Sequence, residues 1–300
     1  MGGGAGALMP ALLCLGFGYC AEHFAEIYGG GFDRIIGTVR GAERAAILNA
    51  YRPDNLKALV FSGNTLMPEL KSAIAEADDV LISVPPGENG DPVFAACADA
   101  LAGATNLKSI VYLSTVGVYG NHDGAWVDEQ TPLKPNSPRS RARAAAEQAW
   151  LDFGERHRRA VAVLRLAGIY GPGQNALVQI ASGKARRIVK DGQTFNRIHV
   201  RDIAQAIGAA FARKASGIFN VADDEPAPLG DPIVFAAQLM GREPPPAIAF
   251  ADAAPSMSPM ALSFWQDCRR VKNDKLKREL GVALRYPTYR EGLRNLFSEK

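Results

Sequence analysis

The residues whose spacing implies chemistry begin near the amino terminus. Leu13-Cys14-Leu15-Gly16-Phe17-Gly18-Tyr19-Cys20-Ala21 has the form G-x-G-x-x-A. Gly16 permits a tight turn out of a strand, Gly18 lets backbone approach a pyrophosphate, and the small Ala21 lets helix pack closely on strand. The helix that follows offers free N–H groups and a partial positive charge to phosphates. A glycine turn of this kind is common by itself. Its weight comes from context: an apolar strand before it, a helix after it, and a second strand about 20 residues on. The second strand ends Ile36-Gly37-Thr38-Val39-Arg40. No acid is present to meet a ribose 2′-OH, whereas Thr38 and Arg40 are available, so NADP is expected with NAD as the alternative. Arg40 as an ordinary solvated loop residue is the competing reading. Tyr19, Cys20, Val84, Pro85 and Ser114 are assigned to the same cofactor site.

A second strip runs Val111-Tyr112-Leu113-Ser114-Thr115-Val116-Gly117-Val118-Tyr119-Gly120. Its S-T-x-G-V-Y-G segment resembles the extended and atypical short-chain dehydrogenase/reductase superfamily, which contains nucleotide-sugar epimerases and dehydratases. Three further segments are similar to that group: Leu164 to Gly173 (LRLAGIYGPG), Arg197 to Ala204 (RIHVRDIA) and Gly217 to Val221 (GIFNV). Order and spacing match over about residues 11 to 222. The resemblance implies that Thr115 hydrogen-bonds a substrate hydroxyl or carbonyl; a strand-end Thr satisfying nearby backbone is the alternative. It also implies a Tyr-x-x-x-Lys pair one helical turn apart, and here the chain departs from the pattern. In Asn136 to Glu147 (NSPRSRARAAAE), Arg139 falls where the Tyr belongs and Arg143 where the Lys belongs.

An arginine stays protonated at physiological pH and cannot act as a general base. Arg143 can still keep the cationic, ribose-contacting role, and Arg139 can bind a phosphate or carboxylate. A solvated helix face is the alternative for both. Tyr119, His122, Tyr170 and His199 lie nearby in sequence, and none is assigned the proton relay. A subgroup of the superfamily lacking the Tyr/Lys pair is more similar still. It shares the G-x-G-x-x-A turn, the Thr/Arg end of strand two and a V-P-P end of strand four, and the stretches Arg270 to Leu276 and Tyr286 to Leu293 fit it.

The elements that must hold these residues read as βα alternation. Short apolar runs at Ala11–Leu15, Arg34–Val39, Ala58–Phe61, Val80–Val84, Ser109–Ser114, Val161–Leu166 and Gly217–Val221 predict strands buried on both faces. Helices are predicted at about Tyr19–Tyr28, Pro92–Leu101, Ser140–Arg156 and Ile198–Lys214. The expectation is an α/β Rossmann fold with a doubly wound parallel sheet and a small C-terminal substrate lobe. The domain reading is 7–222 for dinucleotide binding, with parts of 168–198 contributing to the lobe, and 223–300 for the substrate side. Glu243–Pro259 reads as a Pro/Ala-rich loop. Val271–Leu280 reads as a helix capped by Gly281.

Composition bounds the rest. Across 300 residues, 47% are apolar and 22% charged, with a formal net charge of +3. That charge is too small and too dispersed for a nucleic-acid or membrane partner. Cys14, Cys20, Cys97 and Cys268 form no CxxC pair or zinc-spaced cluster, so no metal is expected and the thiols read as reduced and cytoplasmic. Met1 to Gly6 reads as a leader, and no Lys or Arg precedes Arg34, which argues against a signal peptide. The partner expected is a small-molecule substrate, and the resemblance adds a homodimer as an option. The functional expectation is an NAD(P)-binding enzyme similar to epimerases, dehydratases and reductases, acting on a small polar or sugar-like substrate with a degenerate catalytic pair. A dinucleotide sensor without turnover is the alternative.

Overall fold

The apolar run Leu12 to Leu15 is almost fully inaccessible, as are Val80 to Ile82 and Ile110 to Tyr112. Runs covered on both faces belong in the middle of a parallel sheet. The computed structural model, which describes residues 9–51, 54–63 and 65–299, places them there. The strands are β1 (Ala11–Leu15), β2 (Arg34–Val39), β3 (Leu56–Val60), β4 (Asp79–Ile82), β5 (Ser109–Thr115), β6 (Trp126–Val127), β7 (Ala160–Leu166), β8 (Gly168–Tyr170), β9 (Arg187–Val189), β10 (Arg197–His199), β11 (Gly217–Val221), β12 (Ala247–Ala249) and β13 (Arg270–Val271). A seven-stranded sheet runs β11-β7-β5-β4-β1-β2-β3. The register is parallel from β5 through β3, with Leu13 opposite Ile36 on one side and Val80 on the other. The chain winds outward from β1 to β3, then restarts at β4 on the other side of β1. The carboxyl ends of β1 and β4 therefore flank the point where strand order reverses.

The chain folds into two compact units, each assembled from interleaved segments. Of the described residues, the first holds those in 9–114, 145–164 and 207–217, and the second those in 115–144, 165–206 and 218–299. The chain thus passes between units several times, where the sequence expects one main boundary at 222 and a contribution to the later lobe from 168–198. In the first unit, α1 (Tyr19–Tyr28), α2 (Ala42–Tyr51), α3 (Pro68–Glu76) and α4 (Pro92–Gly103) alternate with the strands. Asp91 caps α4, accepting from Val93 N (2.8 Å) and Phe94 N (3.1 Å), and its other oxygen accepts from Trp150 Nε1 at 2.9 Å. Trp150 belongs to α5 (Pro138–His157) and is fully buried.

The second unit contains α6 (Ala176–Ala181), α7 (Val200–Arg213, as far as Ala206), α8 (Asp231–Leu239), α9 (Phe250–Ala253), α10 (Pro259–Gln266), α11 (Asp274–Leu280) and α12 (Tyr289–Ser298). Three parallel two-stranded pairs, β8–β10, β9–β12 and β6–β13, join segments distant in sequence. Tyr170, Leu177, Ile233, Tyr289 and Leu293 form one apolar cluster and Ile188, Ala253 and Trp265 another.

Three element boundaries expected from the sequence need correction. Glu243–Pro259 is not only loop: it holds β12 and α9, because three residues pair with β9 and the Phe250 ring packs 5.0 Å from that of Trp265. The segment expected to be helical from Ile198 begins as strand β10, and Val271 pairs in β13 before α11 starts at Asp274. Gly281 adopts the left-handed cap as expected, with φ 63°. Met1 to Gly6, which the sequence reads as a leader, lie outside the described residues. Among those described, no helix is long and apolar enough to cross a membrane.

Candidate functional site

In the first unit, Gly16 leaves β1 with φ +94°, and a Cβ there would stand 2.7 Å from Ser83 Oγ and 3.0 Å from Val84 N. Only glycine fits that space and that backbone angle. The turn is pinned from both sides. Ser83 Oγ donates to Gly16 O at 2.6 Å, Gly16 N donates to Thr38 Oγ1 at 2.8 Å, and Phe17 N donates to Thr38 O at 2.7 Å. Gly37 of β2 makes room for the Phe17 ring, since a Cβ would meet it at 2.6 Å. Gly18 differs: nothing lies within 4 Å of where its Cβ would be, and it begins α1 with no side-chain cap. The first amides of α1 thus have no side chain at the cap competing for them, and the backbone is approachable. This cradle fits a pyrophosphate.

The other residues expected at the cofactor are placed as follows. Tyr19 is half-buried, edge-on to His23 at 4.7 Å, with its phenol pushed up to about 12 by burial and by Cys20. Burial also pushes the Cys20 thiol up to about 12, which makes it a packing group and not a nucleophile. Val84 and Pro85 follow β4, Val84 half-buried and Pro85 exposed. Ser114 is buried and its Oγ donates to the Glu147 carboxylate. Thr38 requires a correction. It is 2% exposed and its hydroxyl oxygen holds the Gly16 amide, so it is not a free polar group at the strand's end. Arg40 is exposed.

In the second unit, Thr115 is half-buried and caps the short helical turn Val116–Tyr119, its Oγ1 accepting from Gly117 N at 3.1 Å. That bond uses an acceptor lone pair, and the hydroxyl proton is left for another oxygen. Tyr119 is buried. Its OH donates to Asn220 Oδ1 at 2.8 Å, the Arg165 guanidinium lies 4.8 Å from its ring centroid, and burial raises its pKa. His122 Nε2 lies 3.1 Å from Tyr119 O. Both are tied into the fold.

Along α5, the buried positions Ser140, Arg143, Glu147 and Trp150 recur at three- and four-residue spacing. Arg143 lies on this inward stripe, 8% exposed, while Arg139 is exposed. A solvated face therefore describes Arg139 and not Arg143.

The second unit also holds polar groups largely withdrawn from solvent. Arg197 donates to the carbonyls of Phe195, Ala227 and Pro228 at 2.9–3.1 Å. Burial pushes its pKa down, opposed by Asp223. Asp223 is 2% exposed, with Oδ1 accepting from Glu225 N at 3.3 Å and no hydrogen-bond partner on Oδ2 among the described residues. Burial pushes its carboxyl up to about 8, against the opposing pull of the Glu225 amide and Arg197. Arg269 donates to Gly120 O at 2.6 Å and pairs with Asp267 at 3.2 Å.

A model of the NAD dependent epimerase/dehydratase family matches residues 92–222. The 3-diazoavenalumate denitrifying reductase of Streptomyces sp is 28% identical over 177 residues, 56% of this chain and 58% of that protein. The chain thus matches less than two thirds of that curated relative's length. Among solved structures, a functionally unknown conserved protein from Silicibacter pomeroyi DSS is 43% identical with a TM-score of 0.84, covering 97% of this chain and 99% of that one. The dTDP-glucose 4,6-dehydratase of Bacillus anthracis str. Ames, solved in complex with NAD, is 18% identical with a TM-score of 0.75, covering 97% and 96%. At that identity the likeness is one of fold.

Proposed function

We propose that this chain, whose residues 92–222 match a model of the NAD dependent epimerase/dehydratase family, binds a nicotinamide dinucleotide, NADP in preference to NAD, and moves hydride to or from a small polar or sugar-like substrate. The observation that carries this reading is the pinned turn at Gly16 together with the open space over Gly18. Gly16, Gly18 and the first amides of α1 would hold the pyrophosphate. When bound, the nicotinamide supplies a hydride donor or acceptor. Thr115 would direct its hydroxyl proton to a substrate oxygen. Arg143 would keep a fixed positive charge where the family has a lysine, and Arg139 would meet a carboxylate or phosphate. Neither arginine moves a proton near neutral pH, so the reaction favoured is one in which hydride transfer does not depend on a tyrosine relay.

A second reading is a sensor that binds the dinucleotide without turnover, and the same two arginines favour it. Calorimetry with NADP+, NADPH, NAD+ and NADH, followed by nicotinamide absorbance with a panel of carbonyl and sugar-nucleotide substrates, separates the two. Turnover supports the enzyme, and tight binding with no turnover supports the sensor. Failure of all four nucleotides to bind overturns both.

A further inference from the structure

Arg197 opens β10 and Asp223 follows β11, and Asp223 N donates to Arg197 O at 2.7 Å. Their backbones are tied, but their side chains are not. Arg197 is 9% exposed, and among the described residues its guanidinium donates only to the carbonyls of Phe195, Ala227 and Pro228. Asp223 is 2% exposed, and its Oδ2 has no hydrogen-bond partner among the described residues. A buried cation held by neutral acceptors thus neighbours a buried carboxyl with an open oxygen, a costly arrangement once both are charged. Two of the three acceptors, Ala227 O and Pro228 O, belong to the segment that leads from β11 to α8. Its next residues, Leu229, Gly230 and Asp231, form with Pro228 one side of a cavity of about 240 Å³, whose other lining includes Arg187 and Trp265. The guanidinium is therefore a clasp on a cavity wall.

We propose that Asp223 and Arg197 form a switch on this wall: when the Asp223 carboxyl ionises, it draws Arg197 away from Ala227 and Pro228, and the segment from Glu225 to Asp231 loosens. Three physical points carry it. First, a buried carboxylate needs a partner, and Arg197 is the cation beside it that no acid holds. Of the other groups around it, Tyr170 of β8 is kept un-ionised by burial. Asp224 and Glu225 are acidic and already paired, with Lys277 of α11 at 2.6 Å and Arg290 of α12 at 2.8 Å. Asp231 of α8 acts on Arg197 and would add to the repulsion of a second acid. Second, a guanidinium bonds a carboxylate more strongly than it bonds carbonyls, so an ionised Asp223 outcompetes Ala227 and Pro228. Third, burial pushes the Asp223 carboxyl up to about 8, which sets the change close to neutral pH.

The test is hydrogen exchange read by mass spectrometry on the whole chain, across about pH 5 to 9 and corrected for the intrinsic pH dependence of exchange. In the wild type, protection of amides 225–234 should fall with rising pH, by as much as about tenfold per unit, and level off above about pH 8. The amides of α6, in the same unit, should keep their protection. Asp223→Asn keeps an oxygen for the Glu225 amide and cannot ionise, so its segment should stay protected throughout. Arg197→Gln removes the clasp, so its segment should be unprotected already at the acid end and fall no further. A wild-type segment whose protection does not change with pH overturns the proposal without any variant. A fall shared equally by α6 also overturns it, because that is a loss of global stability and not a local release. So does a fall that persists in Asp223→Asn, or wild-type protection in Arg197→Gln at the acid end.

Discussion

Gly16 and Gly18 are two residues apart and constrained in opposite ways. Gly16 is locked by φ +94° and by Ser83 and Val84, whereas Gly18 has an ordinary extended backbone and open space above it. Gly16→Ala should therefore destabilise the fold, by roughly 1–2 kcal/mol from backbone strain alone plus the cost of a 2.7 Å contact, seen as a lowered denaturation midpoint. Gly18→Asp should fold normally yet weaken dinucleotide binding by on the order of a hundredfold, since a carboxylate would face the pyrophosphate. Cofactor binding retained by that variant would show that the phosphate cradle lies elsewhere. Asp223 supplies a pH test. Its carboxyl is raised from 3.8 in the unfolded chain to about 8 in the fold. Between those values the unfolded chain has released a proton that the native state keeps. The group's contribution to stability thus falls as pH rises through that interval and levels off above it. Compared across pH 5 to 9, Asp223→Asn should gain stability relative to wild type up to about pH 8, then hold level. A gap independent of pH would contradict the assignment.

At the scale of elements, the ties that hold α4 and α5 in the first unit converge on few side chains. Asp91 caps α4 and receives the Trp150 indole, and Ser114 is bonded to Glu147. Asp91→Ala removes a helix cap and leaves a buried indole N–H unpaired, a combined cost of about 2–4 kcal/mol that urea denaturation would read as a lower midpoint with an unchanged slope. Asp91→Asn should recover part of the loss, because its amide oxygen can still accept. Glu147 shows how a motif undervalues an element: in the sequence it is only the last residue of the stretch that holds Arg139 and Arg143. The inward stripe of α5, which buries Arg143 and Glu147 alike, is hidden by a run of small and charged residues with little apolar periodicity.

For the whole molecule, a ligand that binds only the native state raises stability by mass action. NADP+ at about 100 times its dissociation constant should add about 2.7 kcal/mol, a shift of several degrees in a thermal melt. The shift should vanish in Gly18→Asp. A wild-type melt unmoved by any of the four nucleotides would argue against a dinucleotide protein.

The strands of the large sheet and the glycine turn were legible before any fold was known. Each depends on local information: apolar runs such as Ala11–Leu15 can only be buried, and Gly16 is what it is wherever it sits. What depends on distant partners was not legible. β12 and β10 exist because β9 and β8 pair with them, and three-residue strands carry no period to read. Thr38 looks like a free polar group at a strand end until Gly16, 22 residues away, is seen to use its oxygen. Arg44, unremarked in the chain, pairs with Glu22 across the same interval of 22. Hydrogen bonds and ion pairs of that span follow from packing, which no local pattern encodes.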